Sequence, residues 1–262
     1  MKIGTVESLW RYPVKSMAGE ELTEVFAGFA GVYGDRLFAF RSSAARKGLP
    51  YLTARDQRQM VLYRPRFRSP QNAIAPPNLT EAEALGVGAT PIHGDAEDLK
   101  LEVTTPTGRT LPIDDPELER MLQAGLEAGH QLSLRRSERA LTDCRPLSLI
   151  AVQTVSKLAE ETHLRIDKRR FRANVFLDLT TSEGFAEDAF VGRSLRIGSK
   201  VTISIRHRDT RCMIITLDPD TGEKTPALLK AVAQAHGSKA GIYSVVLVEG
   251  MMRKGDNVEL LD

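Results

Sequence analysis

Residues 195–205, LRIGSKVTISI, alternate apolar and polar side chains, so that Val201, Ile203 and Ile205 share one face of a strand. Working outward, Met213 to Leu217 continues the β pattern after a break at Asp209-Thr210, and Gly241 to Val248 and Val258 to Leu261 supply two further strands. Toward the N-terminus, Met1 to Tyr12 is a mixed strand pattern that Pro13 interrupts. Leu22 to Phe26 alternates loosely, and Leu37 to Phe40 is a short run after the turn-like Val32-Tyr33-Gly34-Asp35. Leu99 to Val103 and Arg109 to Ile113 form a hairpin through Thr107-Gly108. Short strands separated by Gly and Asp turns predict a barrel or a sandwich. Three helices punctuate the strands. Asp115-Pro116 opens one over Glu117 to Ala128, which Gly129 can close; a second covers Val152 to Thr162; a third starts at Thr225-Pro226 and ends before Gly237. Residues 68–98, rich in Pro, Ala and Gly, read as an irregular excursion, and the best domain boundary lies near residue 130.

The 262 residues suit one large domain or two small ones, with enough chain to bury a core. A hydrophobic share of 42% and a charged share of 27% are ordinary for a globular chain. The net charge of +2 is too small to make nucleic acid the default partner, so any basic site must be local. The opening MKIGTVESLWRYPVK has no apolar signal region, and runs such as Tyr243 to Val248 are too short to span a bilayer. A cytoplasmic protein with no membrane or nucleic-acid partner is expected. Two cysteines, Cys144 and Cys212, cannot form a disulfide framework or a four-thiolate metal site.

Cys212 follows Arg206-His207-Arg208-Asp209-Thr210-Arg211, where one strand stops and another starts. Neighbouring arginines favour thiolate, the form that binds a thiophilic metal. On local sequence alone, however, Cys212 reads first as a small buried hydrophobe, as most free cysteines are. Cys144, in Thr142-Asp143-Cys144-Arg145-Pro146, reads as a packing or loop residue, because nothing beside it supplies a ligand set. In Arg170-Phe171-Arg172-Ala173-Asn174 an extended backbone would put both arginines opposite Phe171. Arginine forks and an asparagine amide suit a phosphate or a pterin edge. The competing reading of the run from Arg165 to Arg170 is a solvated basic face. There is no GxGxxG, Walker loop, HExxH or CxxC, and five scattered histidines offer no ligand spacing.

Taken together, these segments resemble the MOSC family. YPVKS (residues 12–16), GVYGDR (31–36) and LTARDQ (52–57) are similar to its N-terminal β-barrel domain. RFRANVFLD (170–178), FAED (185–188), TRCMIITLDPDTGE (210–223), GIYSVV (241–246) and the closing Lys254-Gly255-Asp256 are similar to the MOSC domain. The resemblance implies a mainly β member of the α+β class: an N-terminal β-rich domain over 1–130, with 68–98 as its irregular part, packed on a β-barrel MOSC domain over 131–262 with few short helices. It implies the molybdenum cofactor, Mo-molybdopterin, with Cys212 as the thiolate on the metal. Thr210 and Arg211 would touch the cofactor, Arg172 and Asn174 would hold its phosphate and pterin, and Lys15, Ser16 and Arg36 would reach over from the N-terminal domain. Thr154 is a further implied contact. Position 173 is Ala where relatives often carry Pro, which changes backbone stiffness rather than chemistry.

Relatives with this layout include amidoxime-reducing proteins, so the resemblance implies reduction of the N–O bond of a small N-hydroxylated substrate. Sulfurases of the family carry a pyridoxal-phosphate domain for which this chain has no room. The alternative is a non-catalytic carrier of the cofactor or its sulfur; a barrel for another phosphorylated ligand is a third reading. With no dinucleotide fingerprint and too few cysteines for an iron–sulfur cluster, electrons are expected from an external ferredoxin, cytochrome or flavoprotein. The run from Arg165 to Arg170 is the candidate dock for such an acidic donor.

Overall fold

A computed structural model describes residues 1–44, 48–84, 99–126, 130–137 and 139–261. Seven strands close into a barrel: β1 (Lys2–Arg11), β2 (Leu147–Ala151), β3 (Val175–Leu179), β4 (Ser194–Ile197), β5 (Val201–Thr210), β6 (Lys239–Val248) and β7 (Asn257–Leu261). Around the barrel the order is β1-β3-β2-β6-β5-β4-β7, and β7 returns to β1. The class expected from the sequence, mainly β with few helices, is the one observed.

The alternation at 195–205 resolves into a hairpin, β4 and β5, because Gly198 takes φ +62° and turns the chain. Leu195, Ile197, Val201, Ile203 and Ile205 all point into the barrel, where they pack with Leu147, Leu149, Val175, Leu177 and Ile242. β2 and β3 are the parallel pair, in register Leu149 with Val175, and the helix Val152–Thr162 makes the crossover between them. Trp10, Val155, Leu158, Phe176 and Val232 form a second core between the barrel wall and the helices Val152–Thr162 and Pro226–His236. The third core, including Val14, Phe40, Met60, Val103 and Leu118, fills the N-terminal half, where Arg64–Phe67, Leu101–Thr104 and Thr110–Pro112 make a small sheet.

Several local expectations are corrected. The strand does not break at Asp209-Thr210; β5 runs through Thr210, with Thr210 paired to Lys239. Met213–Thr216 is a 3₁₀ turn rather than a strand, closed by the Ile215 amide donating to the Cys212 carbonyl. The segment around Arg170 is not extended either. Asp167 accepts from the Arg169 amide and opens a 3₁₀ turn over Lys168–Phe171, and Arg172 then takes φ +52°. The helix opened by Asp115, whose carboxylate accepts from the Glu117 amide, ends at Gln123; Ala128 and Gly129 lie outside the described residues, as do 85–98 of the excursion.

Candidate functional site

One cleft of about 230 Å³ opens where the end of β5, the start of β3 and the loops after β1 converge. Its walls carry Lys15, Ser16, Arg36, Arg172, Asn174, Thr210, Arg211 and Cys212, so eight of the nine residues expected from the sequence meet in one place. Seven cationic side chains line it with two carboxylates, Asp143 and Asp209, while Asp35 and Asp218 pair with Arg36 and Arg170 from behind the wall, so the lining carries a local excess of positive charge in a nearly neutral chain.

The loop after Pro13 places Lys15 and Ser16. The Lys15 amide donates to the Phe38 carbonyl, and Ser16 takes φ +66°. The Lys15 ammonium donates to the Leu141 carbonyl at 2.8 Å and to Asp143 at 2.6 Å. Burial pulls its pKa down, and Asp143 opposes that. Arg36 also takes a left-handed φ, +43°, with its amide on the Tyr12 carbonyl and its guanidinium 2.5 Å from the buried Asp35 carboxylate. Ser16, Arg36 and Arg172 are thus three non-glycine cleft residues held at positive φ, a cost that local packing sustains.

Tyr12 lies between two of these cations. The Arg172 guanidinium sits 4.3 Å and that of Arg36 4.7 Å from its ring centre. Burial pushes the Tyr12 phenol up to about 12, and its hydroxyl donates to the Ala173 carbonyl. Arg172 donates through Nη1 to the Met17 carbonyl at 2.6 Å, but its Nη2 is buried with no protein partner. Burial first, and then the Arg36 charge, pull Arg172 down to about 10. A guanidinium still charged at neutral pH, with an unpartnered nitrogen and another guanidinium nearby, leaves unbalanced positive charge in the cleft wall.

Cys212 begins the 3₁₀ turn after β5 and is half-buried. Arg211 anchors that turn: it donates to the Ala240 and Phe171 carbonyls, each at 2.7 Å, and its Nη2 lies 3.0 Å from Asp209. Gly241, at φ +78°, makes room for this; a Cβ there would stand 2.6 Å from the Leu149 carbonyl oxygen and 3.0 Å from the Arg211 guanidinium. Asn174 is buried and wholly committed. Its amide nitrogen donates to the Trp10 carbonyl, and its oxygen accepts from the Ser148 amide and from Arg36. It ties β1 to β2 at the cleft and steadies Arg36.

Thr154 is the ninth residue, and the structure moves it out of the cleft. Its hydroxyl lies 2.8 and 2.7 Å from the two oxygens of buried Glu187 and accepts from the Phe185 amide. Glu187 in turn accepts from the Ala151 amide at the start of a helix that has no side-chain cap. Thr154 therefore holds a buried carboxylate at a helix N-terminus, where negative charge is favoured.

Sequence reasoning missed Arg55, Cys144, His207 and Tyr243, all in the cleft wall. Arg55 lies against Cys212, which is the largest cause of its raised pKa. Cys144 is the loop residue, not the packing residue, of the two expected roles: it is exposed, and its Sγ lies 3.5 Å from His207 Nε2. Continuing the two-residue period from Ile205 would have put His207 and Asp209 on the barrel's inner side. The basic run is also reassigned. Lys168 pairs with Glu7, Arg169 with Asp167 and Asp220, and Arg170 with Asp218 and the Thr216 carbonyl. Arg165 at its head is exposed, so the charges paired within the run are those of Lys168, Arg169 and Arg170.

The MOSC domain family matches residues 136–259, and the MOSC N-terminal beta barrel domain matches residues 3–129. Mitochondrial amidoxime reducing component 2 of Macaca fascicularis is 25% identical over 299 residues, covering 98% of this chain and 83% of that protein. Among solved structures, the YUAD protein from Bacillus subtilis aligns over 99% of this chain and 96% of its own at 14% identity, with a TM-score of 0.48. YiiM from Geobacillus stearothermophilus aligns over 45% of this chain and 55% of its own at 20% identity, with a TM-score of 0.36.

Proposed function

The chain belongs to the MOSC family, with a MOSC N-terminal β-barrel domain before its MOSC domain, and we propose that its cleft holds the molybdenum cofactor and reduces N-hydroxylated compounds. The observation that carries this is the meeting of the Cys212 thiol with a wall of cations that includes the unmatched, buried Arg172 Nη2. A cofactor with a phosphate and a dithiolene is an anion whose metal prefers soft thiolate, and the donor set fits both demands. When bound, the cofactor supplies two-electron chemistry at the metal.

The chain's own residues bind and orient. Cys212 is the metal ligand, and Arg55 lies beside it in the cleft wall. Arg172, Arg36 and Lys15 take the anionic end, and Ser16 and Thr210 offer hydroxyls. Arg211 and Asn174 position the site through the carbonyls and amides they already hold. Charge-assisted hydrogen bonds contribute about 1.5–3 kcal/mol each, so several can retain a large ligand without a covalent tether.

The name of the Macaca relative states amidoxime reduction, and similarity over 98% of this chain supports the same reaction class here. Electrons come from an external redox protein. Purified protein is expected to contain molybdenum and, after oxidation, a fluorescent pterin. With an N-hydroxylated base, dithionite-reduced viologen should give turnover and NADH alone none. Turnover on NADH without another protein would remove the external donor. Cofactor without any turnover would instead favour a carrier.

Thr154→Val separates fold from site. Loss of the hydroxyl leaves Glu187 and the Phe185 amide short of a partner, so a destabilisation of about 1–3 kcal/mol in urea is expected. Molybdenum content per folded protein should not change; a selective loss of metal would return Thr154 to the cofactor site.

A further inference from the structure

His207 and Cys144 face one another in the cleft that also holds Cys212. The Nδ1 of His207 lies 3.1 Å from the Arg208 carbonyl oxygen, which can only accept, so Nδ1 carries the proton in the neutral ring. Nε2 is then the acceptor, and the Cys144 thiol donates to it across 3.5 Å. Tyr243 on β6 meets the ring edge-on, 5.4 Å between centres at 69°. The ring is thus held from three sides with Nε2 at the cavity.

The buried charged groups around it are paired, and the remaining two are exposed. From β5, Arg208 pairs with Asp188 at 2.8 Å, and Asp209 with Arg211 at 3.0 Å; Arg206 is exposed. From the loop of Cys144, Asp143 pairs with Lys15, and Arg145 is exposed. Burial and the Asp209 charge hold the Tyr243 phenol well above its ordinary range, and burial likewise raises the Cys144 thiol. Arginines keep their protons, and the Lys15 ammonium is committed to Leu141 and Asp143. Imidazole can both give and take a proton, and His207 lines the same cavity as Cys212.

We propose that His207 donates the proton from Nε2 to the oxygen that leaves an N-hydroxylated substrate in this cleft, with the Arg208 carbonyl holding the ring through Nδ1 whether the ring is neutral or charged. The inference rests on the reductase reading above. In the reaction R–NH–OH accepts two electrons from the external redox protein and two protons, and yields R–NH₂ and water. The N–O bond breaks. The departing oxygen takes its proton from the His207 imidazolium, the nitrogen takes the other from solvent, and solvent water reprotonates the ring.

The test uses the full chain loaded with cofactor, reduced viologen and an N-hydroxylated base. His207→Ala is expected to lower kcat about 100-fold, a usual share for general acid catalysis, with KM and molybdenum content little changed. Added imidazole should restore turnover and saturate, most strongly at pH values where it is protonated. A second readout needs no cofactor. Site-resolved alkylation of Cys144 by iodoacetamide should slow several-fold in His207→Ala, because the imidazole no longer accepts the thiol proton. Wild-type kcat in the variant, a loss that imidazole does not rescue, or unchanged alkylation would each overturn the proposal. If wild-type protein reduces no N-hydroxylated base at all, the reductase reading falls and the proposal with it; an active wild type with an equally active variant overturns the proposal alone.

Discussion

Cys212→Ala is expected to abolish N–O bond reduction and leave the fold standing. The thiol is half-buried at the start of a 3₁₀ turn, and the Cys212 side chain belongs to none of the three cores. The turn itself is fixed by the Arg211 contacts to Ala240 and Phe171, which the substitution leaves in place. Stability should therefore move by no more than about 1 kcal/mol. Activity has no such substitute, because losing the only thiolate assigned to the metal changes its electronics rather than one contact among many. Turnover with reduced viologen should fall to background while the melting curve stays cooperative and near its original midpoint. A variant that reduces substrate at the wild-type rate would remove Cys212 from the metal.

Arg172→Ala should lower cofactor affinity by roughly 30–150-fold, the equivalent of about 2–3 kcal/mol for a lost charged contact. The effect on folding combines opposing parts. The substitution removes the hydrogen bond to the Met17 carbonyl and the stacking on Tyr12. It also removes a buried charge with an unpartnered Nη2 beside Arg36. The folded-state value, about 10, lies below the unfolded value, so the charge costs stability at every pH below about 10 and the cost fades only as pH rises above that. A bound anion cancels the cost; truncation removes it. Net destabilisation of the cofactor-free protein should thus stay under about 2 kcal/mol. Unchanged molybdenum content at limiting cofactor would exclude Arg172 from the site.

The legible parts of this protein are those that local physics decides. Alternation at 195–205 marks barrel strands because an inward face must be apolar, and Asp115-Pro116 or Thr225-Pro226 opens a helix by its own chemistry. The segment around Arg170 misleads because Arg-Phe-Arg fits a strand equally well. What bends it is the Asp167 cap together with Thr216 and Asp218, far along the chain. Thr154 stands near a helix start, where a ligand contact is reasonable, yet its partner Glu187 is 33 residues away. Arg55 lies inside a motif that marks the family, but nothing in LTARDQ shows that its guanidinium meets Cys212. Cationic residues could be read one at a time; the unpartnered Nη2 of Arg172 exists only in three dimensions.

The closure of the barrel through β1 sets an order on synthesis. β1 spans Lys2–Arg11, while its barrel neighbours are Val175–Leu179 and Asn257–Leu261. A ribosome adding about 5–20 residues per second makes the last neighbour roughly 10–50 s after β1. Through that interval an early strand rich in buried residues has open edges and waits for partners that do not yet exist. Tyr12 to Ser16, which carry the cleft's N-terminal contacts, hang from the end of that strand. The cleft therefore cannot be assembled piecemeal during translation: the barrel that frames it closes only after Asn257–Leu261 has been made.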